Sequence, residues 1–444
     1  MGARIEEIKN KFVNNDDFFL QQDYLAGNPI SLMGLITLID LAESRQTLHI
    51  YLEGSKSSYT SIEELLSLYG EVKESDPNEI VSSIVEGKLI IYSETINKYV
   101  ITQPVPKLLN RFFEPPTNEN VLQGPLSSFI EDIDQNIGIV RKQISSDRLR
   151  VKSFAVGTSE QKKISLLYSE GHADMKLVNN IIRQLELNQS REVHNLQNLS
   201  KTMGLSSWGP ISKFHTTELP QEVAQSLRVG KVVLFVDRLP LALVLPSLLW
   251  DMFALENDHN YPLPIMFALR FLRIIGVLMT LLVPALYVAL VAVNPEVLRI
   301  EIALAVAQSR DGVPYTALVE ILLILIILEL ILEASVRLPK SIGPTITMVG
   351  GIILGQAIVA AKLVSNLLII ILAATTIANS AVVGFQNSLS IRLFKYILVL
   401  LAAIYGVLGI LAGLVLVCAY LASLETFGVP YIQINVAKDR SNHG

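Results

Sequence analysis

Between Ile397 and Leu421 the chain runs 25 residues without a charged side chain. About 20 such residues in a helix, at about 1.5 Å per residue, cross the hydrocarbon core of a bilayer, about 30 Å thick. The run is the cleanest part of a wider trend. Of the 77 Asp, Glu, Lys and Arg residues, 60 lie in the first 273 positions and 17 in the 171 from Ile274 onward. Such a drop marks a change of solvent along the chain, from water to lipid.

Four further stretches read as membrane candidates. Ile274–Val293 is 20 residues without a charge, follows Arg270 and Arg273, and carries Pro284 as a tolerated kink. Val313–Leu332 holds Glu320 and Glu329. Ile342–Ala361 is uncharged and Gly-rich, and reads as a full crossing or a re-entrant helix. Leu363–Ser390 is uncharged and follows Lys362. The expectation is a transmembrane domain over residues 266–432 with four to five spans, then a polar tail over 433–444. In the four-span arrangement Arg337, Lys340, Lys362, Lys438 and Arg440 face the cytoplasm, and Arg299, Arg310, Arg392 and Lys395 face out. The first residues lack the apolar core of a signal peptide, and Glu6 stands where a myristoylation motif needs Ser or Thr. The first span is then the insertion signal, and the N-terminal domain is expected on the cytoplasmic side.

Residues 1–238 read as mixed α/β. The apolar runs His49–Gly54, Lys88–Ser93, Lys98–Gln103, Lys163–Gly171 and Lys231–Asp237 have strand character, and Leu177–Leu187 has helical periodicity behind an Asp174 N-cap. A duplication is visible. Asp17 and Gly27 recur at the same spacing as Asp147 and Gly157, and the Glu79…Gly87-Lys88 stretch recurs as Glu222…Gly230-Lys231. Two similar lobes follow, 1–110 and 111–238, with 188–220 a polar irregular loop. Residues 239–265 form an interfacial or re-entrant linker. Within it Leu239–Ala254 reads as an interfacial helix carrying Trp250, or as a buried docking helix.

The chemistry is concentrated in the membrane half. Glu329 and Glu333 share a helix face, Glu320 lies about 180° away from Glu329, and Glu333 is placed to pair with Arg337. A carboxylate in hydrocarbon needs protein, water or a cation beside it. These acids therefore mark an ion pathway, or else merely the two ends of the span. Thr375 and Asn379 form a polar stripe that lines a pore or bonds across helices. Gly351/Gly355 and Gly409/Gly413 are small-residue steps for internal packing or for oligomerisation.

The six histidines show no metal-ligand spacing, and no nucleotide, nucleophile-elbow or zinc motif occurs. No enzyme activity, cofactor or metal is expected. A net charge of −5 without a basic run gives no sign of nucleic acid, and the single cysteine, Cys418, excludes a disulfide framework.

Several stretches carry a resemblance. They are 114–144 (EPPTNENVLQGPLSSFIEDIDQNIGIVRKQI), 230–246 (GKVVLFVDRLPLALVLP), 284–290 (PALYVAL), 309–320 (SRDGVPYTALVE), 332–359 (beginning LEASVRLPKSIG), 391–396 (IRLFKY) and 423–432 (SLETFGVPYI). Together the chain resembles the A subunit of the GerA family of spore germinant receptors. Glu320, Glu329, Glu333 and Arg337 match the family pattern. Leu325, Gln356 and Ala360 stand where the family often has acids. Gln123 and Leu332 stand where it has basic residues, and Asn366 where it has Pro. The resemblance implies a multi-pass protein of the spore inner membrane that couples nutrient sensing to release of monovalent cations and triggers germination. It implies a homo-oligomer partnered by a transporter-like B subunit and a lipoprotein C subunit. The alternatives are a stand-alone secondary transporter, whose mark would be inverted repeats, and a non-conducting membrane scaffold.

Overall fold

The computed structural model describes residues 3–54, 61–74, 76–107, 127–206, 208–339 and 343–433. The 114–126 part of the first motif stretch, Gln123, Lys340 and nearly all of the tail lie outside them.

The N-terminal region is α/β and built on two antiparallel sheets. The first joins β1 (Phe18–Leu25), β2 (Asn28–Leu35), β3 (Val72–Glu74), β4 (Leu89–Ser93) and β5 (Lys98–Thr102) in the order β1-β2-β4-β5-β3. The second joins β6 (Leu149–Val156), β7 (Lys162–Ser169), β8 (His215–Thr217), β9 (Val232–Val236) and β10 (Ala242–Leu245) in the order β6-β7-β9-β10-β8. The helices repeat as well. In the first lobe α1 (Ala3–Lys11) precedes the sheet, α2 (Leu41–Gly54) and α3 (Ile62–Ser67) follow β2, and α4 (Pro77–Val85) precedes β4. In the second, α5 (Ile133–Gln143), α6 (Met175–Leu187), α7 (Leu196–Thr202) and α8 (Pro220–Arg228) take the same places. Pro77 and Pro220 both open their helices, where a missing N–H costs nothing.

Alternation along β9 explains the layers of the second lobe. Val232, Leu234 and Val236 pack with Leu177, Ile181 and Leu199 of α6 and α7, while Val233 and Phe235 pack with Ile137, Val140, Val223 and Leu227 of α5 and α8. A strand covered on both faces reads as a continuous apolar run. A buried clasp ties the lobes together. Arg141 Nε and Nη2 donate to Asp17 Oδ2 and Oδ1 at 2.6 and 2.7 Å, and Nη2 also reaches Asn15 Oδ1 at 3.2 Å.

Three expectations in this half need correction. His49–Gly54 is not a strand but the last turns of α2: Leu41, Leu48 and Leu52 recur at helical spacing toward the core, leaving Ile50 and Tyr51 exposed. The 188–220 segment is not an irregular loop throughout. It holds α7, capped by Asn195 accepting from the Asn198 N–H, with Leu199 and Met203 buried. Leu239–Ala254 is not a helix either, because residues Ala242–Leu245 are the buried strand β10, paired with β8 and β9, so the second sheet extends past residue 238. Only a short 3₁₀ turn, Leu249–Met252, follows.

The C-terminal region is helical: α9 (Leu263–Val288, continued as a π turn to Val293), α10 (Ile300–Ser309), α11 (Ala317–Arg337), α12 (Gly343–Ala360), α13 (Asn366–Asn379) and α14 (Phe385–Ser423). By length and composition two of these elements are apolar enough to cross a membrane, Leu263–Val293 and Phe385–Ser423, the second of which folds back on itself at Gly406. Helix α13 runs antiparallel to α9, since Gly276 meets Ala378, Thr280 meets Thr375 and Tyr287 meets Ser365.

Helix α14 is not one rod. Its backbone breaks at Gly406 (φ 59°, ψ −137°). Phe394 and Tyr420 then stand with ring centroids 5.8 Å apart, and Gly413 lies against Leu398 and Leu401. A straight helix would separate residues 26 positions apart by about 39 Å. The element is therefore a hairpin of two antiparallel arms, and the charge-free run Ile397–Leu421 spans its turn. Leu363–Ser390 is likewise divided, between α13 and the first arm, at Gly384 (φ 84°). Positive φ favours glycine at both breaks. Asn294 Oδ1 accepts the Val407 N–H released at the turn, at 3.1 Å.

Both ends of the hairpin return to the second lobe. Ser390 Oγ donates to Pro210 O, Val383 N–H to Met252 O, and Leu249 N–H to Tyr431 O. Beyond the hairpin, Lys213 Nζ donates to Glu425 O and Asn180 Nδ2 to Phe427 O.

Candidate functional site

The helical region encloses two charged clusters, both built on α11. Fourteen of its 21 residues are Leu, Ile or Val, so the acids stand out against apolar neighbours. Glu320, in its first turn, is completely buried. Its Oε1 accepts the Ser365 backbone N–H at 2.6 Å, and its Oε2 accepts the Tyr287 hydroxyl at 3.3 Å. Arg310 Nε lies 3.3 Å from Oε2 as an ion pair. Ser365 is the N-cap of α13, its Oγ accepting the Leu368 N–H and lying 3.1 Å from the Tyr287 hydroxyl oxygen. The carboxylate thus sits at the positive end of the α13 dipole, where a negative charge is favoured. One acid joins α9, the end of α10, α11 and α13.

Nine residues on, Glu329 points to the opposite side and meets the first arm of α14. Arg392 Nη1 donates to its Oε2 at 2.7 Å, and Lys395 Nζ lies 3.8 Å from Oε1. Two cations share one acid, and Lys395 is 6% exposed. Arg392 and Lys395 therefore do not sit in an outward-facing loop, as charge counting places them. They lie within the first arm of α14, where both reach Glu329, whose side chain is 31% exposed.

The other candidates have different surroundings. Glu333 and Arg337 form an exposed i, i+4 pair, with Arg337 Nε donating at 3.0 Å. Thr375 and Asn379 are buried at helix contacts: the Thr375 carbonyl accepts from Thr280 Oγ1 at 3.2 Å, and Asn379 Nδ2 donates to Ser388 Oγ at 2.8 Å. Gly409 and Gly413 face the first arm of the hairpin, where a Cβ at Gly409 would come 2.0 Å from Leu401 O. Gly351 and Gly355 have open space where a Cβ would stand.

Sequence reading missed Tyr287, Ser365 and Arg310 as partners of Glu320. No spacing rule links residues 33 and 45 positions apart, and only a fully buried acid signals that such partners exist. No group of three or more His, Cys, Asp or Glu side chains that would hold a metal occurs among the described residues.

The profile of the family described as Bacillus/Clostridium GerA spore germination protein matches residues 6–443. The chain belongs to the GerA family. Among its relatives, spore germination protein GerLA of Bacillus cereus is 31% identical over 84% of this chain and 75% of its own length. Spore germination protein A1 of Bacillus subtilis (strain 168) is 30% identical over 80% and 73%. A solved structure, the N-terminal domain of the A subunit of the Bacillus megaterium spore germinant receptor GerK3, matches 55% of this chain and 93% of its own, with 20% identity and a TM-score of 0.39. GerA-family membership and relatives named for germination agree with the resemblance read from the motif stretches.

Proposed function

We propose that this chain is the A subunit of a nutrient germinant receptor, a multi-pass protein of the spore inner membrane that couples nutrient sensing to ion release. The observation that carries the mechanistic part is Glu320, a fully buried carboxylate tied to Tyr287, Ser365 and Arg310. A charge that costly in an apolar bundle is retained where it sets a conformation or a path for ions. Held by α10, α9 and the N-terminus of α13, it is placed to transmit a change in one helix to the others.

In this reading six helical segments traverse the membrane: α9, α11, α12, α13 and the two arms of α14. Helix α12 fits a contact with further copies of the chain, since Met348, Ile352 and Ile353 are exposed beside Gly351 and Gly355. A transporter-like B subunit that binds nutrient and a lipoprotein C subunit complete the receptor, with the lobes on the cytoplasmic side.

The test is Glu320→Gln in spores whose other receptors are deleted. The change removes a charge-assisted bond network worth about 1.5–3 kcal/mol, a shift of about tenfold or more between two states. Nutrient-triggered cation release should slow by at least that factor while receptor abundance stays normal. Unchanged release at normal abundance would sink the role of Glu320. Purified protein that never conducts in liposomes, with or without its partner subunits, would leave a scaffold.

A further inference from the structure

A cavity of about 730 Å³ opens where the second lobe, residues 249–260 and the first turns of α9 meet. Its polar wall carries two self-contained ion pairs. His215 Nε2 is 2.8 Å from Glu222 Oε1, and Lys231 Nζ is 2.7 Å from Asp251 Oδ2. Arg270 differs. Asp258 is already held by both Nη atoms of Arg273, with Nη2 donating to Oδ1 at 2.8 Å. Arg270 Nε is buried, lies 3.7 Å from Asp258 Oδ2 and makes no hydrogen bond. Two guanidinium groups share one carboxylate, so the described side chains leave about one positive charge facing the cavity.

The other wall is aromatic. Trp250, Phe267 and Phe271 line it and are 42, 62 and 62% exposed. Phe267 and Phe271 are i, i+4 on α9, so they form one face that continues into the apolar length of the helix. Indole and phenyl rings beside cationic side chains, at the start of an apolar helix, are the chemistry of the headgroup level of a bilayer. Basic recesses at that level take the phosphate of an anionic lipid while its chains follow the helix.

We infer that this cavity is a binding site for the headgroup of an anionic phospholipid, its phosphate on Arg270 and its acyl chains against Phe267 and Phe271. The site joins the soluble lobe to the membrane helix, and it rests on the reading that α9 crosses the membrane.

The chain contains two tryptophans, and Trp208 is 96% exposed, so Trp208→Phe leaves Trp250 as the reporter. The full chain in nanodiscs is titrated with phosphatidylglycerol or phosphatidylcholine carrying brominated chains. Brominated phosphatidylglycerol should quench Trp250 at about tenfold lower mole fraction than brominated phosphatidylcholine, the preference expected of one charge-assisted contact. Arg270→Gln should abolish the preference and Arg270→Lys should keep most of it. Equal quenching by the two lipids, or a preference that survives Arg270→Gln, overturns the site. Displacement of the lipid by soluble glycerol 1-phosphate overturns it in favour of a free anion. Absence of quenching by either lipid overturns the membrane placement of α9 itself.

Discussion

Asp17 and Arg141 show how much one buried pair carries. They lie 124 residues apart, are 5 and 2% exposed, and join the start of one sheet to a helix of the other lobe. Asp17 also accepts from Thr37 Oγ1 at 2.9 Å. Removing one partner strands a charge in the interior at a cost of about 3–5 kcal/mol. Asp17→Asn should lower the denaturation midpoint of the lobes accordingly, while Asp17→Leu combined with Arg141→Leu should recover a large part of the loss. An unchanged midpoint in Asp17→Asn would show that the lobes are held elsewhere.

The His215–Glu222 pair responds to pH. Burial opposes the imidazolium, but the Glu222 carboxylate outweighs it and holds the His215 pKa above its ordinary 6.5. Burial likewise opposes the carboxylate, and His215 outweighs it to hold Glu222 below 4.5. The His215 share of stability is complete below 6.5 and disappears as pH rises through its folded value. The Glu222 share is complete above 4.5 and disappears as pH falls through its folded value. Thermal melting of the full chain in detergent should therefore weaken above neutral pH, and His215→Asn should flatten that limb. A limb of equal slope in the variant would assign it to other groups.

At the scale of the element, the hairpin in α14 decides how the bundle is threaded. Its two arms touch at Gly409, where only a residue without a Cβ admits the Leu401 backbone, and at Gly413, which lies against the Leu398 and Leu401 side chains. With Cys418 changed to Ser, cysteines at Phe394 and Tyr420, whose rings touch across the two arms, should be joined within one chain by a short bifunctional thiol reagent. A single straight helix would hold them about 39 Å apart and give no bond. Gly406→Val should block the turn, since a Cβ there would come 1.9 Å from Asn294 Oδ1 and the backbone is left-handed. Its effect would appear as loss of that cross-link.

At the scale of the whole molecule, both ends of the helical region pack on the second lobe, so the proposed membrane arrangement requires an even number of crossings. Labelling of single cysteines in sealed vesicles should place Ser388 and Ser423 on the side of the lobes and Glu296, near the hairpin turn, on the opposite side. Glu296 labelled from the same side as Ser423 would contradict the six-segment reading. The two lobes also share one order of strands and helices, a duplication too diverged to prove from letters but plain in the sheet order.

The letters alone carried the drop in charge near Ile274, the family resemblance, the α/β character of the N-terminal region and the presence of acids that demand partners, because each depends on composition or short spacing, and they suggested the duplication that the sheet order makes plain. They misplaced His49–Gly54, β10 and the course of α14. An apolar run has the same letters whether it becomes a strand, a buried helix or a helix that turns back, and its neighbours decide among these. Only the tertiary structure showed that Glu320 answers to Tyr287, Ser365 and Arg310, and Glu329 to Arg392 and Lys395. Those partners come from helices far apart in the chain, so they are chosen by packing and by the cost of an unpaired charge, neither of which has a local signature.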